Sequence, residues 1–271
     1  MKTVAFFIVY GNFKNYTFWC ENSVNSFKKW HPEIDVVIFD EIPTTNHHTL
    51  FYKHAKTLFD KGYDKVLHVN SDTITCARFD ELLADTTDIV GALDCLMDPC
   101  GYRHQVNKYA FHNNYLECKN INAGLLCFNR KEIIDELIEI NNADPSLGHE
   151  QGAVQYLLDT QPHKVKVIDF PYVFSRFVYN SRGLGTVGTG CMRDGKLYFG
   201  FDGPCIGDVI PLSIYTVNDG KLFNHLGKHV KMIHLCGDYK DPKMKSWFNA
   251  QTIEFFETHC ACDWSLPVIK T

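Results

Sequence analysis

Residues 66 to 75, VLHVNSDTIT, run as an apolar stretch into Asn70-Ser71-Asp72 and then into small hydroxyl residues. Side chains alternate across a strand, so Asn70 and Asp72 project to one face. An amide oxygen and a carboxylate together at a strand's carboxyl end suit a hard divalent cation. They suit a turn cap equally well, since Asn and Asp readily bond the backbone just ahead of them. Three further segments bring polar groups to the ends of apolar runs: Asn122-Ala123-Gly124, Glu150-Gln151-Gly152, and His234-Leu235-Cys236-Gly237-Asp238-Tyr239-Lys240. Carboxylates, amides, an imidazole and an ammonium in separate segments act together only if the fold gathers them.

The elements that would gather them alternate. TVAFFIVY at 3–10 reads as a buried strand, and Phe18, Val24, Phe27 and Trp30 then recur at helical spacing. VVIFD at 36–40 is a short buried strand. TLFYKHAKTLFDKGY carries Leu50, His54, Leu58 and Phe59 on a helical pattern, with Gly62 as its stop. KVLHVN predicts a strand, FDELLAD a short helix and DIVGALD another strand. Residues 96–120, rich in Asn, His, Tyr and Cys without a period, predict a long loop, and such loops commonly carry function. NINAGLLCFNR returns to strand, KEIIDELIEI and EQGAVQYLLD are helical, and VKVIDF is a strand. Between 171 and 225, Asp194-Gly195 and Asp219-Gly220 mark hairpin turns and so antiparallel strands. KMIHLCG is a late strand, and 244–258 predicts a terminal helix. The whole pattern predicts an α/β fold, a largely parallel sheet with a small antiparallel annex, in one domain over 1–271. Such sheets collect ligands beyond the carboxyl ends of their strands, where Asn70-Ser71-Asp72 falls.

Composition narrows the function. The chain has 271 residues, 45% of them hydrophobic, and a formal net charge of -5. With a pI near 6.2, this argues against a general nucleic-acid binder. The densest basic stretch, Lys240 to Lys245, is interrupted by Asp241. The apolar opening at 3–10 is too short to span a bilayer, and nothing beside it resembles a signal-peptide cleavage site, so a soluble cytoplasmic protein is expected. Eleven cysteines, an odd number without a Cys-x-x-Cys, point to reduced and mostly buried thiols rather than a disulfide framework. His259, Cys260 and Cys262 could begin a zinc cluster but lack a second correctly spaced pair. The glycosylation sequon Asn15-Tyr16-Thr17 carries little weight without a secretion signal.

Taken in order, the four polar segments resemble those of the GT-A fold glycosyltransferases, most closely the retaining family 8 type. Asn70-Ser71-Asp72 is similar to that family's Asp-x-Asp turn with the first Asp replaced. Asn122-Ala123-Gly124 resembles its Asn-Ala-Gly segment, and Glu150-Gln151 its acidic-Gln helix start, where the family usually has Asp. His234, Gly237 and Lys240 match its closing His-x-x-Gly-x-x-Lys, while the Pro-Trp that usually follows is blurred to Asp241-Pro242 with Trp247 further on. The resemblance spans roughly residues 3 to 247.

It implies a GT-A fold, a Rossmann-like sheet with an antiparallel annex, with a nucleotide-sugar half over about 1–95 and an acceptor half over about 96–271. It implies a UDP-sugar donor and a metal, Mn²⁺ or alternatively Mg²⁺, held by Asp72 and His234; a mixed carboxylate and imidazole set suits Mn²⁺ better. Asn70 either joins the metal or contacts the ribose or the sugar, and the turn-cap reading stays open. Lys240 would meet the diphosphate as a compact charge, and Gly237 would let the backbone approach the phosphates. Gln151 and Glu150 would be catalytic, near the anomeric carbon. Ser71, Asn122 and Ala123 would contact the donor, with Tyr10 and Gly11 at the nucleoside and Lys56 as a basic donor contact. Asp94 would lie on the acceptor or sugar side. Bland readings stand beside these: a core Tyr10, a solvated Lys56, a core His234, and a Glu150 that merely favours the helix dipole.

The expected activity is therefore transfer of a hexose, glucose first, to a glycan or protein hydroxyl with retention. The expected partners are the donor and the acceptor; a homodimer is allowed for, and neither nucleic acid nor an integral membrane segment is expected. Sugar-nucleotide pyrophosphorylases share a related fold, but VYGNFKNY lacks their Gly-rich basic phosphate loop. A non-catalytic nucleotide-sugar or carbohydrate-binding relative is the other alternative, with Asn70 as its mark.

Overall fold

A computed structural model describes residues 1–10, 16–41, 47–93, 121–144, 147, 150–168, 173–175, 191–193, 196–198, 215–223, 229–234 and 248–265. Along the chain, β1 (Thr3–Tyr10), α1 (Tyr16–Trp30), β2 (Asp35–Glu41), α2 (His47–Asp60), β3 (Lys65–Val69) and β4 (Thr73–Thr75) come first. Then follow α3 (Asp80–Ala84), β5 (Ile89–Leu93), β6 (Ile121–Phe128), α4 (Glu132–Ala143), α5 (Glu150–Thr160) and β7 (Val165–Ile168). The run TVAFFIVY is apolar at every position but its ends because β1 lies inside a sheet covered on both faces. Val4, Phe6 and Ile8 pack with Phe51, Tyr52, Leu58, Ile134 and Leu157 of α2, α4 and α5. The alternate residues Ala5, Phe7 and Val9 pack on the other face with Cys20 and Phe27 of α1 and Leu82 of α3.

The sheet has six strands in the order β2-β1-β3-β6-β5-β7. β1 runs parallel to β2 and β3, and β5 runs parallel to β7. β6 is antiparallel to both of its neighbours. That reversal brings the start of β6 beside the end of β3, so Asn122 and Asn70 arrive at the same rim.

The chain leaves this sheet after β3, and β4 enters a second, three-stranded sheet. There it pairs antiparallel with β13 (Met232–His234), which pairs parallel with β8 (Val173–Ser175). Phe18 and Trp19 of α1, Ile74, Ile233 and the terminal helix α6 (Ala250–His259) form the core beneath it. Both hairpin signals hold. β9 (Cys191–Arg193) pairs with β10 (Lys196–Tyr198), and β11 (Thr216–Asn218) with β12 (Lys221–Phe223). Asp219 and Gly220 between the latter have φ of 48° and 66°, the left-handed pair that a two-residue hairpin turn needs.

The terminal helix begins later than predicted. Phe248 and Asn249 precede it, and Asn249 caps it by accepting the Thr252 N–H at 2.8 Å. Cys20, Cys76, Cys127, Cys260 and Cys262 are buried free thiols. Burial pushes Cys20, with the Glu21 charge adding to it, and Cys127 up to about 12, so neither is a thiolate nucleophile at neutral pH. Among the described residues no helix is long and apolar enough to cross a membrane.

Candidate metal and donor site

The crossing from one sheet to the other is the Asn70-Ser71-Asp72 turn. The Asn70 N–H donates to the Gly124 carbonyl at 2.9 Å, extending the β3–β6 pairing one residue past the strand. Hydroxyls from α1 then hold the turn. Ser23 Oγ and Thr73 Oγ1 lie 3.0 and 2.8 Å from the Asn70 carbonyl oxygen and 2.7 Å from each other. One turn along α1, Ser26 Oγ accepts the Thr75 N–H at 3.0 Å. Ser23 and Ser26 of α1 are thus buried against the turn, while Glu21, Asn25, Lys28 and Lys29 of the same helix are exposed.

The β4–β13 ladder sets Thr73 opposite His234. That register brings His234 Nε2 to 3.1 Å from Asp72 Oδ1. Asn70 Nδ2 lies 3.0 Å from the same Nε2, and Asn122 Oδ1 lies 3.2 Å from His234 Nδ1. Asp72, Asn122 and His234 are 3%, 3% and 6% exposed, so these contacts act with little competition from water.

Backbone donors fix the direction of both amides. The Gly124 N–H donates to Asn122 Oδ1 at 2.6 Å, so that atom is an oxygen and an acceptor. His234 Nδ1 must then carry a proton to bond it, and the Asn70 NH₂ that faces Nε2 is itself a donor, so the two contacts together fit a ring whose lone pair is on Nε2. Histidines that bind metals are commonly oriented in this way, through the nitrogen that does not bind. Asp72 Oδ1 thus faces a lone pair, an arrangement that a cation between the two relieves. Adjacent donors on an octahedral ion, each about 2.1 Å from it, are about 3 Å apart. The separation of Asp72 Oδ1 and His234 Nε2 fits. Asn70 fits less well, because it turns its nitrogen toward His234 while its Oδ1 accepts the Ser71 N–H at 3.0 Å. Among the described residues no group of three His, Cys, Asp or Glu side chains forms a metal cage. Among the described residues the pair offers one carboxylate, Asp72, beside the imidazole of His234.

The start of α5 closes the other side. Gln151 Oε1 accepts the Ala123 N–H and Gln155 Oε1, one turn on, accepts the Ile121 N–H, each at 3.1 Å. These side chains serve β6 where its pairing with β5 shifts between Gly91 and Ala92. His68 Nδ1 holds the Ala123 carbonyl at 2.9 Å from below. Ser71 Oγ is buried and has no hydrogen-bond partner among the described residues, as expected of a hydroxyl that meets a ligand.

Of the residues expected from sequence, Asn70, Ser71, Asp72, Asn122, Ala123, Gln151 and His234 come together here. Lys56 does not join them; its ammonium is bonded to the Asp135 carboxylate of α4. The backbone of Tyr10 ends β1 and that of Glu150 opens α5, but their side chains lie outside what is described. Gly11, Asp94, Gly237 and Lys240 lie outside the described residues. Ser23, Ser26, His68 and Gln155 were not expected. Only Gln155, four residues beyond Gln151 on the same helical face, left a trace in sequence spacing.

This architecture is known. The galactosyltransferase LgtC, solved in complex with donor and acceptor sugar analogs, matches 98% of this chain over 97% of its own, with a TM-score of 0.50 and 15% identity. The chain has the GT-A fold. Two other glycosyltransferases overlap less. One, involved in the glycosylation of the major capsid of PBCV-1, is matched by 65% of this chain over 85% of its own, with a TM-score of 0.44 and 14% identity. Mouse xyloside xylosyltransferase 1 is matched by 65% over 88%, with a TM-score of 0.46 and 9% identity. No protein-family model and no curated protein matches the sequence. In this GT-A chain the polar cluster lies at the carboxyl end of β3, where open α/β sheets gather ligands.

Proposed function

We propose that the chain is a metal-dependent, retaining hexosyltransferase that moves a hexose, glucose first, from a UDP-sugar to a glycan or protein hydroxyl. The observation that carries this reading is the approach of Asp72 Oδ1 to His234 Nε2 at 3.1 Å, at the carboxyl end of β3 in a GT-A sheet. Asp72 and His234 would hold Mn²⁺ or Mg²⁺, which when bound offsets charge on the departing diphosphate. Lys240, within reach of His234 along the chain, would add a compact positive charge to the same group. The orphaned Ser71 hydroxyl would bond the donor. Asn122, whose Oδ1 meets His234 Nδ1 and the Gly124 N–H, would contact the donor sugar from beside that pair. Gln151, whose Oε1 accepts the Ala123 N–H, would orient the sugar together with Glu150. Retention then follows from attack on the face the diphosphate leaves, with the leaving phosphate oxygen taking the acceptor proton. No protein nucleophile is required.

The test is a screen of UDP-glucose, UDP-galactose and UDP-GlcNAc for hydrolysis with Mn²⁺ and with chelator, the product anomer being read by NMR. Metal-dependent turnover of one donor to the retained anomer is expected. No turnover of any donor would overturn the enzyme reading. Asn70 in place of a carboxylate favours a second reading, a nucleotide-sugar-binding relative; binding without turnover is its signature.

A further inference from the structure

We infer that Asn70 is a latch on His234 rather than a metal ligand: its NH₂ occupies the imidazole lone pair that a divalent cation takes, so the Asn70–His234 bond and the cation compete. The inference rests on the reading of Asp72 and His234 as the metal pair. Asn70 is held by its two neighbours in opposite senses. Its Oδ1 accepts the Ser71 N–H at 3.0 Å, and a backbone N–H can only donate, so the atom facing His234 Nε2 at 3.0 Å is the amide nitrogen. The Asn122 contact takes the ring proton at Nδ1, which is the tautomer whose Nε2 can accept from that nitrogen. Two observations from opposite sides of the ring thus agree on one hydrogen-bonding pattern. A carboxylate at position 70 could accept the Ser71 N–H and offer its other oxygen to a cation. The amide offers a donor there instead. Asn70 is therefore a positioning residue that keeps the imidazole oriented in the absence of metal and raises the metal concentration needed to fill the site.

The sign of the effect separates a latch from a ligand. Mn²⁺ alone is titrated into the full chain and into Asn70→Ala and Asn70→Asp, with free Mn²⁺ read by electron paramagnetic resonance. Removing a latch worth one neutral hydrogen bond tightens Mn²⁺ binding by about three- to tenfold in Asn70→Ala, and Asn70→Asp tightens it further. Equal or weaker binding in Asn70→Ala overturns the inference. If the Ala variant folds poorly, the tautomer of the wild-type ring tests the same point. Without metal, ¹⁵N–¹H correlation of the wild-type ring, assigned with His234→Gln, reports the tautomer. A proton on Nδ1 alone supports the latch, and a proton on Nε2 overturns it. Absence of Mn²⁺ binding in all three proteins overturns the metal pair and the competition together. Failure of UDP-sugar turnover, with the expected order of Mn²⁺ affinities, overturns only the proposed activity.

Discussion

Gly124 makes the room that the His234 ring fills: a Cβ on Gly124 would lie 2.5 Å from both Cε1 and Nδ1 of the imidazole and 2.7 Å from Asn122 Oδ1. A methyl group there must push the ring off Asn122 or move the β6 backbone. Gly124→Ala is expected to cost about 1–3 kcal/mol of stability, the usual range for overpacking, and to weaken Mn²⁺ binding as well. Calorimetry and a Mn²⁺ titration check this. A variant equal to wild type in both would show that the ring is not seated against Gly124.

Asp72→Asn keeps the shape of the side chain and removes the charge. If Asp72 is the one carboxylate on the metal, UDP-sugar turnover falls by about 100-fold or more, several kcal/mol of charge stabilisation being lost. The melting temperature should hardly move. Turnover measured across Mn²⁺ concentrations tests it, and unchanged turnover would mean that the metal is held elsewhere.

Gln151 and Gln155 accept neighbouring backbone N–H groups but are expected to differ in function. Gln155→Leu strands the buried Ile121 N–H and should cost about 1–3 kcal/mol while leaving donor KM and kcat alone. Gln151→Leu should cost a similar amount and also depress kcat, because Gln151 is assigned to the sugar. Parallel urea melts and steady-state kinetics separate the two.

His31 supplies a pH dependence remote from the site. Burial, joined by the Arg78 charge, lowers it from 6.5 to about 4. Its Nε2 accepts the Phe79 N–H at 3.3 Å, a bond only the unprotonated nitrogen can make. The unfolded chain therefore takes up this proton first as pH falls. The contribution is fully present above about pH 6.5 and is lost on descending toward pH 4, with a slope of up to about 1.4 kcal/mol per pH unit. Urea melts of wild type and His31→Gln from pH 7.5 to 4.5 should converge as pH falls. Parallel curves would contradict the assignment.

Sequence periodicity placed β1, β3 and β6 because strands buried on both faces read as unbroken apolar runs. The turn at Asn70 was legible for a related reason: polar residues ending such a run must have somewhere to go. His234 was not legible from its surroundings and entered through its spacing to Gly237 and Lys240. The Ser23 and Ser26 contacts left no sequence signal, because a hydroxyl that bonds a distant backbone looks like any helix serine. The reversal of β6 was likewise invisible, since an apolar run has no direction. The late start of the terminal helix was available in Asn249 and Thr252 but was outweighed by the helix-forming residues before them.

His234 ends β13 of the small sheet and Asp72 immediately precedes β4 of the same sheet, whereas Asn122 belongs to the large one. The candidate ligands are thus tied to the small sheet, His234 within it and Asp72 at its edge, while the group that orients the imidazole sits on the large one. A displacement between the sheets would leave the ligand pair intact and be felt first across the 3.2 Å between His234 Nδ1 and Asn122 Oδ1. Such a shift would change how the ring is aimed before it parted Asp72 from His234.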